Sequence, residues 1–246
     1  MIVGVSLKMY FSHARTVAWV EEVAAILAGH PVREAVTALV IPQFPSIPAC
    51  LDAAGDLAVG AQDVATDDAG AFTGEVSAAV LAELGCRFVE VGHAERRRMF
   101  GDTDEVVAAK VHAAVRNGIT PILCVGEEER LEPADAAEVC IRQIRSGLSA
   151  ASAAGIVGDL VIAYEPLWAI GAPEPAHPDH IRGVCAVLRR HLTDVPGQTS
   201  VIYGGSARPG LLTQIADSVD GLFLGRFVHE SSAVRDILDE VGALSA

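Results

Sequence analysis

Positive charge is scarce in this sequence: 246 residues carry 18 Lys and Arg against 32 Asp and Glu, a formal net charge of −14. An acidic surface gains nothing from meeting nucleic acid or an anionic membrane, so neither is an expected partner. A phosphate ligand stays open, because helix N-termini and a few local cations outweigh distant charge. Long hydrophobic runs are missing too. No apolar stretch reaches bilayer length, and the start Met1-Ile2-Val3-Gly4 carries no basic region before its apolar residues. Cys50, Cys86, Cys124, Cys140 and Cys185 show neither a C-x-x-C pair nor metal-like spacing. Their odd number fits reduced, packed thiols better than a disulfide framework, and a cytoplasmic location follows as an expectation. Absent also are internal repeats, low-complexity tracts and Ser- or Gly-rich linkers, so residues 1–246 are expected to form a single domain.

What the chain does have is apolar material in short pieces. Hydrophobic residues make up 51% of it, and β-branched runs recur near residues 2–7, 36–41, 57–62, 88–92, 120–125, 160–164, 200–203 and 221–225. Ala-rich amphipathic segments fill the intervals. Thr16 to Leu27 and Asp104 to Val115 have helical spacing, and Pro178 to Leu192 starts with a proline suited to a first helical turn. Eight strand-helix units of an α/β fold follow, although an open doubly wound sheet would give the same alternation as a closed barrel. Asp63 to Glu75 is the longest stretch without periodicity, with a turn signal at Asp67-Asp68-Ala69-Gly70.

Two of the apolar runs end in groups that carry chemistry. Leu160-Val161-Ile162-Ala163-Tyr164 reads as a buried strand with Glu165 at its carboxyl end, followed by a loop from Pro166 to Gly171 that is able to close over it. By itself Glu165 reads equally well as a surface cap. Val89-Glu90-Val91-Gly92 leads to His93, with a short charged helix expected just beyond, and the opening strand leads to Lys8. A base, an electrophile and a cation at three strand ends form a set that chance convergence explains poorly. Six of the other histidines, His13, His112, His177, His180, His191 and His229, are scattered over helices and loops, form no ligand cluster, and read as solvated or structural.

Several words of the sequence, in order and spacing, resemble the triosephosphate isomerase family from end to end. They are Lys8-Met9, Gly60-Ala61-Gln62, Gly70-Ala71-Phe72-Thr73-Gly74-Glu75, Gly92-His93-Ala94-Glu95-Arg96-Arg97, Cys124-Val125-Gly126-Glu127, the Glu165 segment, Tyr203-Gly204-Gly205-Ser206 and Asp220-Gly221-Leu222-Phe223-Leu224-Gly225. The resemblance implies a (β/α)8 TIM barrel, for which this length is ordinary. It further implies proton transfer between adjacent carbons of a phosphorylated sugar, with Glu165 as base, His93 as donor to the developing oxyanion and Lys8 as stabilising charge. That Glu and His pairing is the family's own established one. No metal or organic cofactor is then required. Gly171, Ser206 and Gly225 stand where the family binds phosphate, and Gly204-Gly205 reads as a simple turn or as a place for close backbone approach. In the family that the chain resembles, the loop containing Thr73 projects into the neighbouring subunit, and the resemblance thereby implies a homodimer.

The departures bear on substrate. This chain has Ser6-Leu7-Lys8-Met9 where members acting on triose phosphate have Asn-Trp-Lys-Met, and Arg226 where they have a second glycine. Ala94 replaces a serine, Asp63 an asparagine, and Glu174-Pro175-Ala176 a Lys-Thr-Ala hinge. Exchanging Asn for Ser frees about two heavy atoms of volume, which a hydroxymethyl group would fill. Ser6 and Arg226 together resemble a branch of the family that converts L-erythrulose 1-phosphate to D-erythrulose 4-phosphate, with Arg226 contacting the phosphate or the extra hydroxyl. A triosephosphate isomerase is the alternative within the family. A barrel that binds sugar phosphate without turnover is the alternative outside it. With no second strand-end lysine for a Schiff base, a lyase or aldolase fits less well.

Overall fold

Alternation of side chains along eight short strands builds this protein from the inside out. The computed structural model describes residues 1–245, and Ala246, the last residue of the expected single domain, lies outside the described residues. The strands are β1 (Ile2–Ser6), β2 (Thr37–Ile41), β3 (Ala58–Ala61), β4 (Phe88–Val91), β5 (Thr120–Val125), β6 (Leu160–Tyr164), β7 (Thr199–Tyr203) and β8 (Gly221–Leu224). All pair in parallel, and β1 to β8 follow one another around a closed barrel. Closure is the β1–β8 ladder, in register from Ile2 against Gly221 to Val5 against Leu224. Gly221 is needed there, since a Cβ on it would lie 2.7 Å from the Ile2 carbonyl carbon. The closed ring decides between the two architectures that the alternation leaves open.

Successive residues of a strand face opposite sides. Leu39, Ile41, Ala58, Phe88, Ile122, Cys124, Val161, Ala163, Ile202 and Phe223 fill the barrel interior. Their neighbours, including Val40, Val89, Leu123, Ile162, Val201 and Leu222, pack outward in the larger core beneath the helices. Those helices are α1 (His13–Ala28), α2 (Ile47–Ala53), α3 (Ala78–Leu84), α4 (Asp104–Arg116), α5 (Pro133–Ala153), α6 (Pro178–Leu192), α7 (Leu212–Ile215) and α8 (Ser232–Ser245). Ser12, Ser77 and Thr103 cap α1, α3 and α4 through their side-chain oxygens, and Pro178 opens α6 as expected. None of the helices among the described residues is long and apolar enough to cross a membrane.

One expectation changes in detail. The charged helix after His93 is a single α-helical turn that widens at once into a π turn over Arg96–Phe100. Arg96 explains its position: the guanidinium is pulled to Asp63 at 2.9 Å and to Asp102 at 3.5 Å, and Lys110 of α4 bonds both carboxylates. Burial pushes the Asp63 carboxyl up against the pull of Lys110, whereas at Asp102 burial is outweighed by Lys110 and Arg96 and the pKa falls. Beyond the last two strands, where the resemblance puts phosphate binding, the helical segments are short: a 3-10 turn, Arg226–Val228, follows β8, and α7 begins only at Leu212.

Candidate active site

Inward parity at the carboxyl ends of the strands decides which side chains meet. Ser6 ends β1 and faces inward with Gly4, Glu165 follows the inward Ala163, and Gly225 follows the inward Phe223. A cavity of about 100 Å³ at this end is lined by all eight residues that the sequence nominates: Ser6, Lys8, His93, Glu165, Gly171, Ser206, Gly225 and Arg226.

The Glu165 carboxylate is buried, and its Oε2 lies 3.8 Å from His93 Nε2 and has no hydrogen-bond partner. An acceptor buried without a donor is costly, so this oxygen is poised for a group not supplied by the fold. Gly204 makes the position possible: a Cβ there would lie 2.7 Å from the Glu165 carboxyl carbon and closer still to Cγ and Oε1. What approaches Gly204 closely is thus the Glu165 side chain.

His93 is fixed by the turn behind it. The backbone N–H of Glu95 donates to Nδ1 at 3.1 Å, so the neutral ring carries its proton on Nε2, the nitrogen facing Glu165 and the cavity. Lys8 sits in a left-handed backbone conformation, φ 48°, held by Gln62, whose amide donates to the Lys8 carbonyl at 2.8 Å and to that of Ile41 at 3.1 Å. Its ammonium donates to Glu95 at 2.9 Å and lies 3.4 Å from His93 Nε2. Burial disfavours the Lys8 charge, but the Glu95 hydrogen bond and the carboxylates of Glu165, Glu95 and Glu90 outweigh it and raise the pKa. At Glu95 burial is likewise overcome, by Lys8, and the carboxyl is held low.

Ser206, φ 64°, directs its hydroxyl at the carbonyls of Ala169 and Ala172, each 2.9 Å away. Arg226 Nη2 donates to the carbonyl of Gly171 and, at 3.4 Å, to that of Ala172. Both residues thus hold the far end of the segment after Glu165. Its near end is held by Glu127, which accepts from Trp168 Nε1 at 2.9 Å and from the Tyr164 hydroxyl at 3.2 Å, and whose carbonyl accepts from Leu167 N–H at 2.9 Å. His180 completes that network, 2.9 Å from the Tyr164 oxygen and 3.3 Å from Glu127. It is the structural histidine of the scattered set with the most direct tie to this segment.

Sequence reasoning missed Glu90. This carboxylate lies inside an apolar strand, is 4% exposed, and accepts from Ser6 Oγ at 2.9 Å, with its other oxygen 3.8 Å from His93 Nε2. Burial, opposed by His93 and reinforced by Glu165, raises its pKa. The signal was available: in Phe88-Val89-Glu90-Val91 the period of two puts Glu90 on the interior face with Phe88.

A closed parallel barrel whose strand ends bring a carboxylate, an imidazole and an ammonium to one cavity fits the sugar-phosphate isomerase class. Within it, the chain belongs to the triosephosphate isomerase family, whose model matches residues 1–241. It is 49% identical, over the whole chain and 97% of the relative, to the L-erythrulose-1-phosphate isomerase of Pectobacterium atrosepticum. It is also 45% identical to the triosephosphate isomerase of Alkalilimnicola ehrlichii, over 78% of this chain and 80% of that protein. With the triosephosphate isomerase of Leifsonia xyli the identity is 41%, over 89% of this chain and 88% of that protein.

Proposed function

We propose that this protein isomerises L-erythrulose 1-phosphate to D-erythrulose 4-phosphate through a cis-enediolate, as a step in tetritol breakdown. The observation that carries this reading is the meeting of Glu165, His93 and Lys8 with Ser6 and Arg226 at one cavity, in a chain 49% identical along its length to an L-erythrulose-1-phosphate isomerase. Glu165 takes the proton from C3, the C2–C3 double bond forms, and charge moves to the oxygen on C2. His93 Nε2–H donates to that oxygen and the ring then accepts the proton of the C3 hydroxyl. Glu165 returns its proton to C2, which leaves the carbonyl at C3. Lys8 stabilises the negative charge throughout. Gly171, Ser206, Gly225 and Arg226 receive the phosphate, so Ser206 and Arg226 exchange their present carbonyl partners for phosphate oxygens as the segment from Pro166 to Gly171 closes.

Substrate choice rests on Ser6 and Arg226. Ser6→Asn combined with Arg226→Gly is expected to shift the ratio of kcat/KM values toward dihydroxyacetone phosphate. An unchanged ratio would remove these two positions from specificity. The triosephosphate isomerase reading is supported by relatives of that name at 45% and 41% identity, and it predicts triose preference before any substitution. A non-catalytic sugar-phosphate binder is separated by proton exchange: incubation of L-erythrulose 1-phosphate in heavy water gives deuterium uptake at carbon if Glu165 acts as base, and none if the barrel only binds.

The chain, residues 1–246, is taken as one barrel domain acting as a homodimer. Support comes from exposed Met9, Tyr10, Phe72, Met99 and Phe100, an apolar set on loops and on the π turn that water contact disfavours. Phe72→Asp is expected to convert a dimer to a monomer in sedimentation velocity; an unaltered sedimentation coefficient would place the interface elsewhere. Five buried, unpaired cysteines suit a reducing compartment, and the cytoplasm is the location that fits.

A further inference from the structure

Glu90 has no structural task that an apolar residue would not perform better. A carboxylate buried on the interior face of a barrel strand costs several kcal/mol in lost hydration, and replacing such a group by hydrophobic atoms is often neutral or stabilising. Its direct partners are Ser6 Oγ at 2.9 Å and His93 Nε2 at 3.8 Å, and Lys8 and Glu165 act on it through charge. Phe88 and Cys124, inward neighbours on β4 and β5, offer no second strong donor from the barrel core. A second cavity, about 240 Å³, adjoins the first and shares Ser6, Lys8, His93 and Glu95 with it, and is lined also by Met9, Met99 and Phe100, which the dimer reading assigns to the subunit interface. Glu90 lines only this second cavity.

We infer that Glu90 and Ser6 together form a subsite for the terminal hydroxymethyl group of a four-carbon ketose phosphate. The chemistry follows from which atoms donate. Ser6 spends its only proton on Glu90 Oε2, so its oxygen faces the cavity as an acceptor. An acceptor repels a carbonyl oxygen and suits a hydroxyl, which can donate. Glu90 adds acceptor capacity beyond Ser6, and a substrate with one carbon more than a triose reaches from the first cavity toward it. A triose phosphate has no group at this place, so the acceptor capacity that Ser6 and Glu90 keep beyond their mutual bond goes unused. A site built for a hydroxyl discriminates strongly against the analogue lacking it, because buried polar groups are then left unpaired. This subsite rests on the tetrulose reading of the preceding section and extends it to a residue that the family resemblance does not supply.

The test uses Glu90→Gln, which keeps shape and loses charge, and Glu90→Leu, which removes the acceptors. Both are expected to lower kcat/KM for L-erythrulose 1-phosphate about tenfold or more while dihydroxyacetone phosphate changes by less than about threefold. Neither is expected to lower Tm, since a carboxyl group that is costly to bury is removed. Tetrulose turnover by the unaltered enzyme with an unchanged substrate ratio in both variants, or a fall in Tm with parallel loss on both substrates, would overturn the subsite alone. No tetrulose turnover by the unaltered enzyme would instead overturn the substrate reading, and the subsite's ligand with it.

Discussion

Glu165→Gln is expected to lower kcat/KM about a thousandfold, inside the roughly 10²–10⁴-fold contribution of a positioned general base, while the barrel stays folded. The amide preserves volume and removes basicity, so what is lost is proton abstraction and not packing. The reason for so large an effect lies in the geometry: Glu165 Oε2 is buried, lacks a hydrogen-bond partner, and lies 3.8 Å from the nitrogen of His93 that carries the proton. No other carboxylate is placed to substitute. Glu95 is committed to Lys8 at 2.9 Å, and Glu90 does not line the cavity of about 100 Å³ in which Glu165 stands. Steady-state rates and deuterium uptake from heavy water should fall together. A variant retaining a tenth of the activity would mean that the base is elsewhere.

Gly204→Ala is expected to cost about a hundredfold, the scale on which a misplacement of about 1 Å is felt in catalysis. Its backbone is not in the left-handed region, and its N–H still reaches the Tyr164 carbonyl at 2.9 Å, so the added methyl meets no conformational barrier of its own. What it meets is the Glu165 side chain, with the carboxyl carbon at 2.7 Å. The base must then move. If displacement of Glu165 is the whole cause, the methyl costs little further in a Glu165→Gln background, because a base already absent cannot be misplaced. Additive losses in that double-variant cycle would show that Gly204 acts by another route, through the phosphate site or the fold.

Much of the fold was legible because strand and helix periods are local. The run expected at 160–164 is β6 (Leu160–Tyr164), that at 120–125 is β5 (Thr120–Val125), and Pro178 to Leu192 is α6 to the residue. Barrel closure was not local: it depends on β8 meeting β1 across more than two hundred residues, and only the family resemblance anticipated it. The eight nominated site residues line one cavity because strand ends converge in this architecture. Glu90 stayed hidden since a charged residue in an apolar run reads first as an outward-facing one; the parity of its strand contradicts that. The π turn at Arg96–Phe100 was illegible for a different reason, since it is set by Asp63 and Asp102. His180 belongs with it: one residue of α6 meets Tyr164 and Glu127 only after β6 and the loop beyond β5 are in place.

Specificity is where sequence departures and structure come together. Ser6 and Arg226 differ from the triose-acting pattern, and each has a definite neighbour: Ser6 donates to Glu90 inside the barrel, and Arg226 to the Gly171 carbonyl at its mouth. Under the proposed function the two changes would act at opposite ends of the sugar phosphate, one on the carbon chain and one near the phosphate. The most direct measurement is kcat/KM for L-erythrulose 1-phosphate and dihydroxyacetone phosphate side by side, with Glu165→Gln as the blank for contaminating isomerase. Strong turnover of the tetrulose with weak turnover of the triose is the predicted result. Preference for the triose would contradict it and make the protein a triosephosphate isomerase with an altered substrate shell.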